Sequence, residues 1–396
     1  MFLSQAQQLT LSGTRPEAEL EPARVLHVLG SMNRGGAETL VYNLYNNIDR
    51  TRLQFDFAVH TSQPSHYDKE LTCRGARIFA LPEPQVAGLT SYHRALSRTL
   101  HQYGPFGGVH SHVRYFSGFV LRTAHACGVP IRVAHGHSFH DERPPGLKRS
   151  AYLWVAKRLV QRHATHLLGC SRSVCERLYG PKCWGDARVA IAANAIDLAQ
   201  YSDPQNTVSL RSELGLGNEF LVGHIGSFRD AKNHKFLIEF FAELVRQSPE
   251  AHLVLAGNGI LQAAIREQFA RSGMSANVHF LGVRGDVPQI LSSLDVFVFP
   301  SLHEGLPTVL IEAQAAGIPC VISDTVTTEV DMHLGLSTFL SLRAPTADWV
   351  DAAFLAHRAI RLNFEQRKAA LVRAGYEIGH AAKTLTGLYL GATRAA

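Results

Sequence analysis

The stretch SLHEGLPTVLIEAQAAGIPC, residues 301–320, decides the fold. An apolar run, DVFVFP (295–300), leads into it, and another, PCVISD (319–324), leads out. Pro307 suits a first helical turn, so a helix opens near it, just after the turn at Gly305 and Leu306. Strand, turn, helix, strand is the repeating unit of a parallel sheet with crossover helices. The backbone N–H groups of Gly305, Leu306 and Thr308 lack helical partners and suit the oxygens of a phosphate. Glu304 and Glu312, eight positions apart, cannot be phosphate ligands, because like charges repel. A carboxylate does accept hydrogen bonds from vicinal hydroxyls. A ligand with a hydroxyl-rich ring on each side of a diphosphate, a nucleotide sugar, satisfies both demands. The plainer reading is that the two glutamates favour the helix dipole, by about 0.3–1 kcal/mol each. That reading suits Glu312 better than Glu304, which precedes the turn.

The same unit recurs on both sides. RVLHVLG, QFDFAVH, ARIFALP, GGVHSH, PIRVAHGH, THLLGCS and ARVAIAAN precede residue 195; FLVGHIGSF, AHLVLAG and VHFLGV precede DVFVFP. Many are β-branched or aromatic and bounded by Gly, Pro or Asn, as buried parallel strands are. Helical periodicity fills the gaps: Leu40, Val41, Leu44, Tyr45 and Ile48 form one apolar face, and Phe236, Leu237, Phe240, Phe241, Leu244 and Val245 another. Run twice, this alternation predicts two Rossmann-like, doubly wound parallel-sheet domains facing each other across a cleft. A chain of 396 residues is also long for one core. The expected organisation is a tail over 1–22, a first domain over 23–205, a second over 206–375, and a helical tail over 376–396 packing back on the first domain. From about 346 to 393 the pattern is helical, with no further strand.

Composition excludes other classes. The chain is 46% hydrophobic and 18% charged, and no run approaches the length of a membrane span. The N-terminus lacks the pattern of a signal peptide, which predicts a cytoplasmic protein. Six cysteines without a CxxC pair read as reduced thiols, and His163, His166, Cys170, Cys175 and Cys183 match no zinc-site spacing. The net charge of +6 is local, because segment 143–162 holds six basic residues and no acidic one. There Leu153, Trp154, Leu159 and Val160 interleave with Lys157, Arg158 and Arg162. This predicts either a core-packed helix with a solvated basic face or a dock for anionic lipid or a phosphate-bearing acceptor. On the latter reading the protein lies peripherally on the inner membrane face. No nucleic-acid-binding module is visible.

Further candidates lie at strand ends. Gly35 and Gly36 open the first helix, where the backbone can approach an anion. Arg229 and Lys232 follow the first strand of the second half and suit a diphosphate. His135, His137 and His140 follow the strand PIRVAHGH.

With FLGVRGDVPQILSSLDVFVFPSLHEGLPTVLIEAQAAGIPCVISD (280–324), the GGAE loop (35–38), IAANAID (191–197) and KNH (232–234), the chain resembles family 4 retaining glycosyltransferases of the GT-B fold. Their signature is E-x7-E, and the similarity is greatest to the capsule and exopolysaccharide branch. The resemblance implies that Glu304 touches hydroxyls of the donor sugar, Glu312 holds the ribose, amides of residues 305–308 bind the diphosphate, and Lys232 is the phosphate lysine. The family's arginine after the strand glycine is Ser227 here, and Arg229 stands two residues on as a substitute. Val283 and Arg284 fall at the nucleobase site. One histidine is implied near the reacting carbon, His137 before His135. The implied reaction moves a hexose-type sugar, with UDP as the expected carrier, to a glycan or lipid-linked saccharide with retention. Departure of the diphosphate from an oxocarbenium-like sugar is eased by fixed positive charge. No D-x-D is present, so neither metal nor other cofactor is expected. The alternatives are a nucleotide-sugar 2-epimerase on the same scaffold and a catalytically silent scaffold protein.

Overall fold

The computed structural model describes residues 21–138, 146–202, 209–358 and 362–391. Two parallel sheets dominate it. The first contains β1 (Ala23–Leu29), β2 (Leu53–Val59), β3 (Ile78–Ala80), β4 (Gly108–Ser111), β5 (Ile131–Gly136), β6 (His166–Gly169) and β7 (Val189–Ile191), in the order β3-β2-β1-β4-β5-β6-β7. The second contains β8 (Leu221–Ile225), β9 (His252–Ala256), β10 (Val278–Gly282), β11 (Val296–Phe299), β12 (Cys320–Ser323) and β13 (Ser337–Leu340), in the order β10-β9-β8-β11-β12-β13. Every strand pair is parallel. The fold is the GT-B architecture of two doubly wound domains.

The apolar faces read from the sequence are the packed ones. Leu40, Val41, Leu44, Tyr45 and Ile48 are buried against the first sheet. Phe236, Leu237, Phe240, Phe241 and Leu244 are buried against the second, with Val245 partly buried beside them. One strand, β13, was not anticipated. Its four residues, Ser-Thr-Phe-Leu, form an edge strand with no fully buried position, so they carry no apolar run.

The chain crosses between the sheets twice. After β7 it passes through Ile196, whose N–H donates to Tyr376 O at 2.9 Å, while Ile378 N–H donates to Ile196 O at 3.1 Å. The returning chain then enters the Ile378–Gly391 helix, which packs against the Gly36–Asn47 helix of the first domain. Its Ile378, Ala382, Leu385 and Tyr389 belong to the first domain's core.

The Leu147–His163 helix differs from its expected pattern. Only Ala156 and Val160 are buried; Trp154 is exposed and lies under the Arg158 guanidinium, 4.4 Å from the ring centre. Trp154 therefore belongs to the outer face with the basic residues, not to a packed stripe.

Candidate active site in the interdomain cleft

In each sheet the strand order reverses once, between β1 and β4 and between β8 and β11. Loops leaving the C-terminal ends of strands diverge at such a point and leave a crevice. Here the two crevices face each other and form one cleft of about 700 Å³. That size suits a small ligand of several rings.

On the second domain's side, the loop after β8 supplies Lys232 and the loop after β11 supplies Glu304. Lys232 Nζ lies 2.7 Å from Glu304 Oε1, with both side chains about 15% exposed (15% and 16%). The ammonium also sits 4.5 Å from the centre of the Phe299 ring. A short turn at Asp230–Lys232 folds the lysine inward across Gly226, where a Cβ would meet Lys232 Cε at 2.9 Å. Ser227 lines the cleft beside it. Arg229 does not. It is extended and exposed just before the turn that swings Lys232 inward, and it is absent from the cleft wall. The structure thus brings Lys232 and Ser227, but not Arg229, to the cleft wall.

The helix after Glu304 spans Thr308–Ala315, with Pro307 at its N-cap rather than inside its first turn. Leu306, Pro307 and Thr308 line the cleft, which places the N-terminal end of the helix at its wall. Gly305 is buried against the other domain: a Cβ there would stand 2.5 Å from His137 O and 2.9 Å from Ser138 Cα. Only a glycine allows that approach. Glu312, one turn into the helix, is half-buried in the cleft wall and accepts a hydrogen bond from Tyr201 Oη at 3.1 Å. Burial raises its carboxyl to about 7, against the smaller opposing effect of that bond.

Val283 and Arg284 line the far end. The Arg284 guanidinium is fully engaged, with Asp286 at 2.6 and 2.8 Å and with Glu213 at 2.8 and 3.0 Å. It shapes that wall as a cation held between two carboxylates rather than as a free one.

From the first domain come Gly35 and Gly36. Glu38, in the first turn, folds back over the helix start, so that a Cβ on Gly35 would stand 2.4 Å from its Oε2. Burial raises this carboxyl, and its own backbone N–H partly offsets the effect. Gly36 faces the second domain, and a Cβ there would make an ordinary contact, 3.6 Å from Thr308 Oγ1. Arg34, which was overlooked in SMNRGGAETL, crosses the cleft, and a Cβ on Gly285 would stand 2.0 Å from its Nη1. An arginine directly before a Gly-Gly turn at a strand end was the available signal.

His137 lines the cleft, whereas His135 lies behind it with 2% exposure. His140 lies outside the described residues. His137 Nδ1 is 2.9 Å from Asn194 Oδ1, and Asn194 Nδ2 donates to Thr308 Oγ1 at 3.3 Å, joining the domains. Burial holds His137 down at about 4, the bond to Asn194 opposing it. Among the described residues, two histidine sets are close enough to share a cation: His27, His110 and His112, and His112, His135 and His137. The cysteines expected to be reduced carry free thiols.

Two doubly wound domains thus place a cation and a carboxylate at one switch point with a buried histidine opposite them. Residues 219–352 match the family described as glycosyl transferases group 1, and residues 35–195 match the glycosyl transferase 4-like domain. The Bacillus subtilis (strain 168) chain that carries the glycosyltransferase name EpsF is 37% identical over 92% of this chain and 96% of its own. CapH of Staphylococcus aureus, a capsular polysaccharide biosynthesis glycosyltransferase, is 24% identical over 73% of this chain and 78% of its own. Anabaena HepE, solved in complex with UDP-glucose, superposes with a TM-score of 0.71 at 19% identity, covering 93% of this chain and 99% of that one. The chain belongs to the group 1 glycosyltransferases. An epimerase or an inactive scaffold finds no support among these relatives.

Proposed function

We propose that the protein transfers a hexose-type sugar from a UDP-sugar to a glycan or lipid-linked saccharide during polysaccharide biosynthesis, with retention at the anomeric carbon. The observation that carries this reading is the Lys232–Glu304 pair at the switch between β8 and β11, with Glu312 one helix turn behind it. The ammonium and the first-turn N–H groups of the Thr308–Ala315 helix meet the diphosphate. Glu304, released from Lys232 by the phosphate, accepts from the sugar hydroxyls, and Glu312 accepts from the ribose. As the glycosidic bond breaks, negative charge grows on the diphosphate and positive charge on the sugar carbon. The lysine, Arg34 and the helix terminus stabilise the first in place, without reorganisation. A divalent cation is not required in this scheme, because protein charge answers the diphosphate. The capsular role of CapH and the UDP-glucose held by HepE support the pathway and the donor class.

Among the described residues no helix is long and apolar enough to cross a membrane. We place the acceptor's lipid, where there is one, against the Leu147–His163 helix, whose outer face joins Leu147, Trp154 and Val155 with Lys148, Lys157, Arg158 and Arg162.

Incubation with UDP- and GDP-sugars, with released diphosphate and the product anomer followed by NMR, tests the reading. Acceptor-dependent release from a UDP-sugar with retained configuration is expected. Conversion of the sugar without an acceptor, or inversion, contradicts it.

A further inference from the structure

Beneath the cleft, five histidines from β1, β4, β5 and the residues that follow them form two hydrogen-bonded strings. In one, Asn194 Oδ1 meets His137 Nδ1 at 2.9 Å, His137 Nε2 meets His112 Nδ1 at 2.9 Å, and His112 Nε2 meets His27 Nδ1 at 3.1 Å. In the other, Tyr389 Oη meets His110 Nδ1, His110 Nε2 meets His135 Nδ1 at 3.2 Å, and His135 Nε2 meets Ala192 O at 3.3 Å. His110 and His112 stack between the strings with ring centres 4.3 Å apart.

These contacts are hydrogen bonds rather than the walls of a cation cage. His27 and His112 have ring centres 5.3 Å apart and planes 14° apart, with nitrogens 3.1 Å apart, so the line between the nitrogens runs nearly through both centres. His112 and His137 are alike, at 5.1 Å and 2.9 Å. Each lone pair thus faces the next ring's N–H. A tetrahedral cation needs lone pairs converging on a point roughly 2.0–2.1 Å from each nitrogen.

Counting donors fixes the protons. Ala192 O can only accept, so His135 carries Nε2–H, His110 carries Nε2–H, and Tyr389 donates to His110 Nδ1. In the cleft string, Asn194 donates through Nδ2 to Thr308 and accepts through Oδ1. His137, His112 and His27 then each carry Nδ1–H, and the string ends on the lone pair of His27 Nε2, a buried atom with no partner among the described residues. The opposite polarity would end the string on a buried, unpaired N–H, which is the costlier orphan.

We propose that Asn194 is a positioning residue: it fixes the neutral His137 ring as the Nδ1–H tautomer and ties it to the first turn of the Thr308–Ala315 helix across the cleft. This rests on the glycosyltransferase reading. A neutral ring matters there because the sugar carbon becomes positive in the transition state, and an imidazolium beside it would raise the barrier. The titratable and charged groups around His137 are His112 from the end of β4, His135 on its own strand, Cys170 after β6, whose Sγ donates to His137 O at 3.4 Å, and the Lys232–Glu304 pair beside Gly305. The strings and the burial favour the uncharged ring, and Asn194, which opposes burial more weakly, fixes which nitrogen keeps the proton.

Histidine-selective ¹⁵N NMR, with His137 assigned by difference against His137→Gln, reads the tautomer directly. Nδ1–H in the wild type is expected, and Nε2–H overturns the proposal even if transfer is fast. Asn194→Asp keeps an acceptor for Nδ1–H, adds a negative charge and removes the donor to Thr308. The acid limb of kcat/KM for sugar transfer should move up by at least one pH unit, with the rate recovering at alkaline pH. Asn194→Ala should lower kcat without that upward shift. A packing role alone would lower stability and leave the limb in place, so superimposable profiles for Asn194→Asp and wild type also overturn the proposal. An Nδ1–H wild type that transfers no sugar defeats the transferase reading and not the placement of Asn194.

Discussion

Glu312 is the residue whose chemistry is most exposed to test. Its carboxyl is raised to about 7 because burial removes water and Tyr201 returns one hydrogen bond. The folded state therefore keeps a proton that the unfolded state releases near 4.5, and stability falls as pH rises from 4.5 to 7, by roughly 3 kcal/mol at about 1.4 kcal/mol per pKa unit. Ribose hydroxyls bond more strongly to the ionised form, which accepts at both oxygens. UDP affinity should thus weaken as pH falls from 8 to 6, up to tenfold per unit below 7, and Glu312→Gln should bind weakly with a flat profile. Calorimetric titration at three pH values checks this, and a wild-type affinity independent of pH contradicts it. Glu304→Ala should lower transfer by about two orders of magnitude through lost orientation of the sugar. Near wild-type turnover in a steady-state assay would remove Glu304 from the site.

At the scale of elements, the strand ends of the first sheet carry an acid-sensitive load. Burial depresses His27 to about 3 and His137 to about 4, and holds His110, His112 and His135 well below their ordinary value. Each contributes stability that is present above 6.5 and is lost as pH falls toward its folded value. Glu312 acts in the opposite sense over part of that range, but one carboxyl is set against five imidazoles. The melting temperature should drop steeply between pH 6.5 and 4.5 in differential scanning fluorimetry, and a flat profile would contradict the buried neutral strings. These strings were not legible in advance. His27 and His110 lie in apolar runs, RVLHVLG and GGVHSH, some eighty residues apart, and only the β1–β4 register sets them side by side. By contrast, Glu304, Glu312 and the turn between them are adjacent in sequence, so local helix chemistry was enough to group them. The Leu147–His163 helix lies between these cases. Its basic character was plain, but whether Trp154 faced inward depended on how far the helix stood from the sheet. Reversing charge at Arg158 and Arg162 should reduce binding to anionic liposomes, more so at low salt, and unchanged sedimentation would return the helix to an ordinary solvated face.

Across the whole molecule, the domains meet through contacts that tolerate little change. Gly305 touches the backbone of His137 and Ser138, Asn194 reaches Thr308, Arg34 reaches Gly285, and Glu329 accepts from the N–H groups of Arg172 and Ser173 at 2.7 and 3.1 Å. The strand alternation announced two domains, but none of these cross-domain pairs has a sequence signature, because each joins loops from different halves. Gly305→Ala places a methyl where the first domain's backbone stands, so the seam must open. Transfer should fall at least tenfold with the melting temperature little changed, and small-angle scattering should show a larger radius of gyration. An unaltered radius with full activity would contradict the close approach. The most direct measurement is calorimetric titration of UDP, in EDTA, into the wild type and into Lys232→Ala. Metal-free binding by the wild type, weakened at least tenfold in the variant, is expected if fixed protein charge at the β8–β11 switch holds the diphosphate. Equal affinity in the two proteins, or wild-type binding that appears only when Mn²⁺ is added, would contradict it.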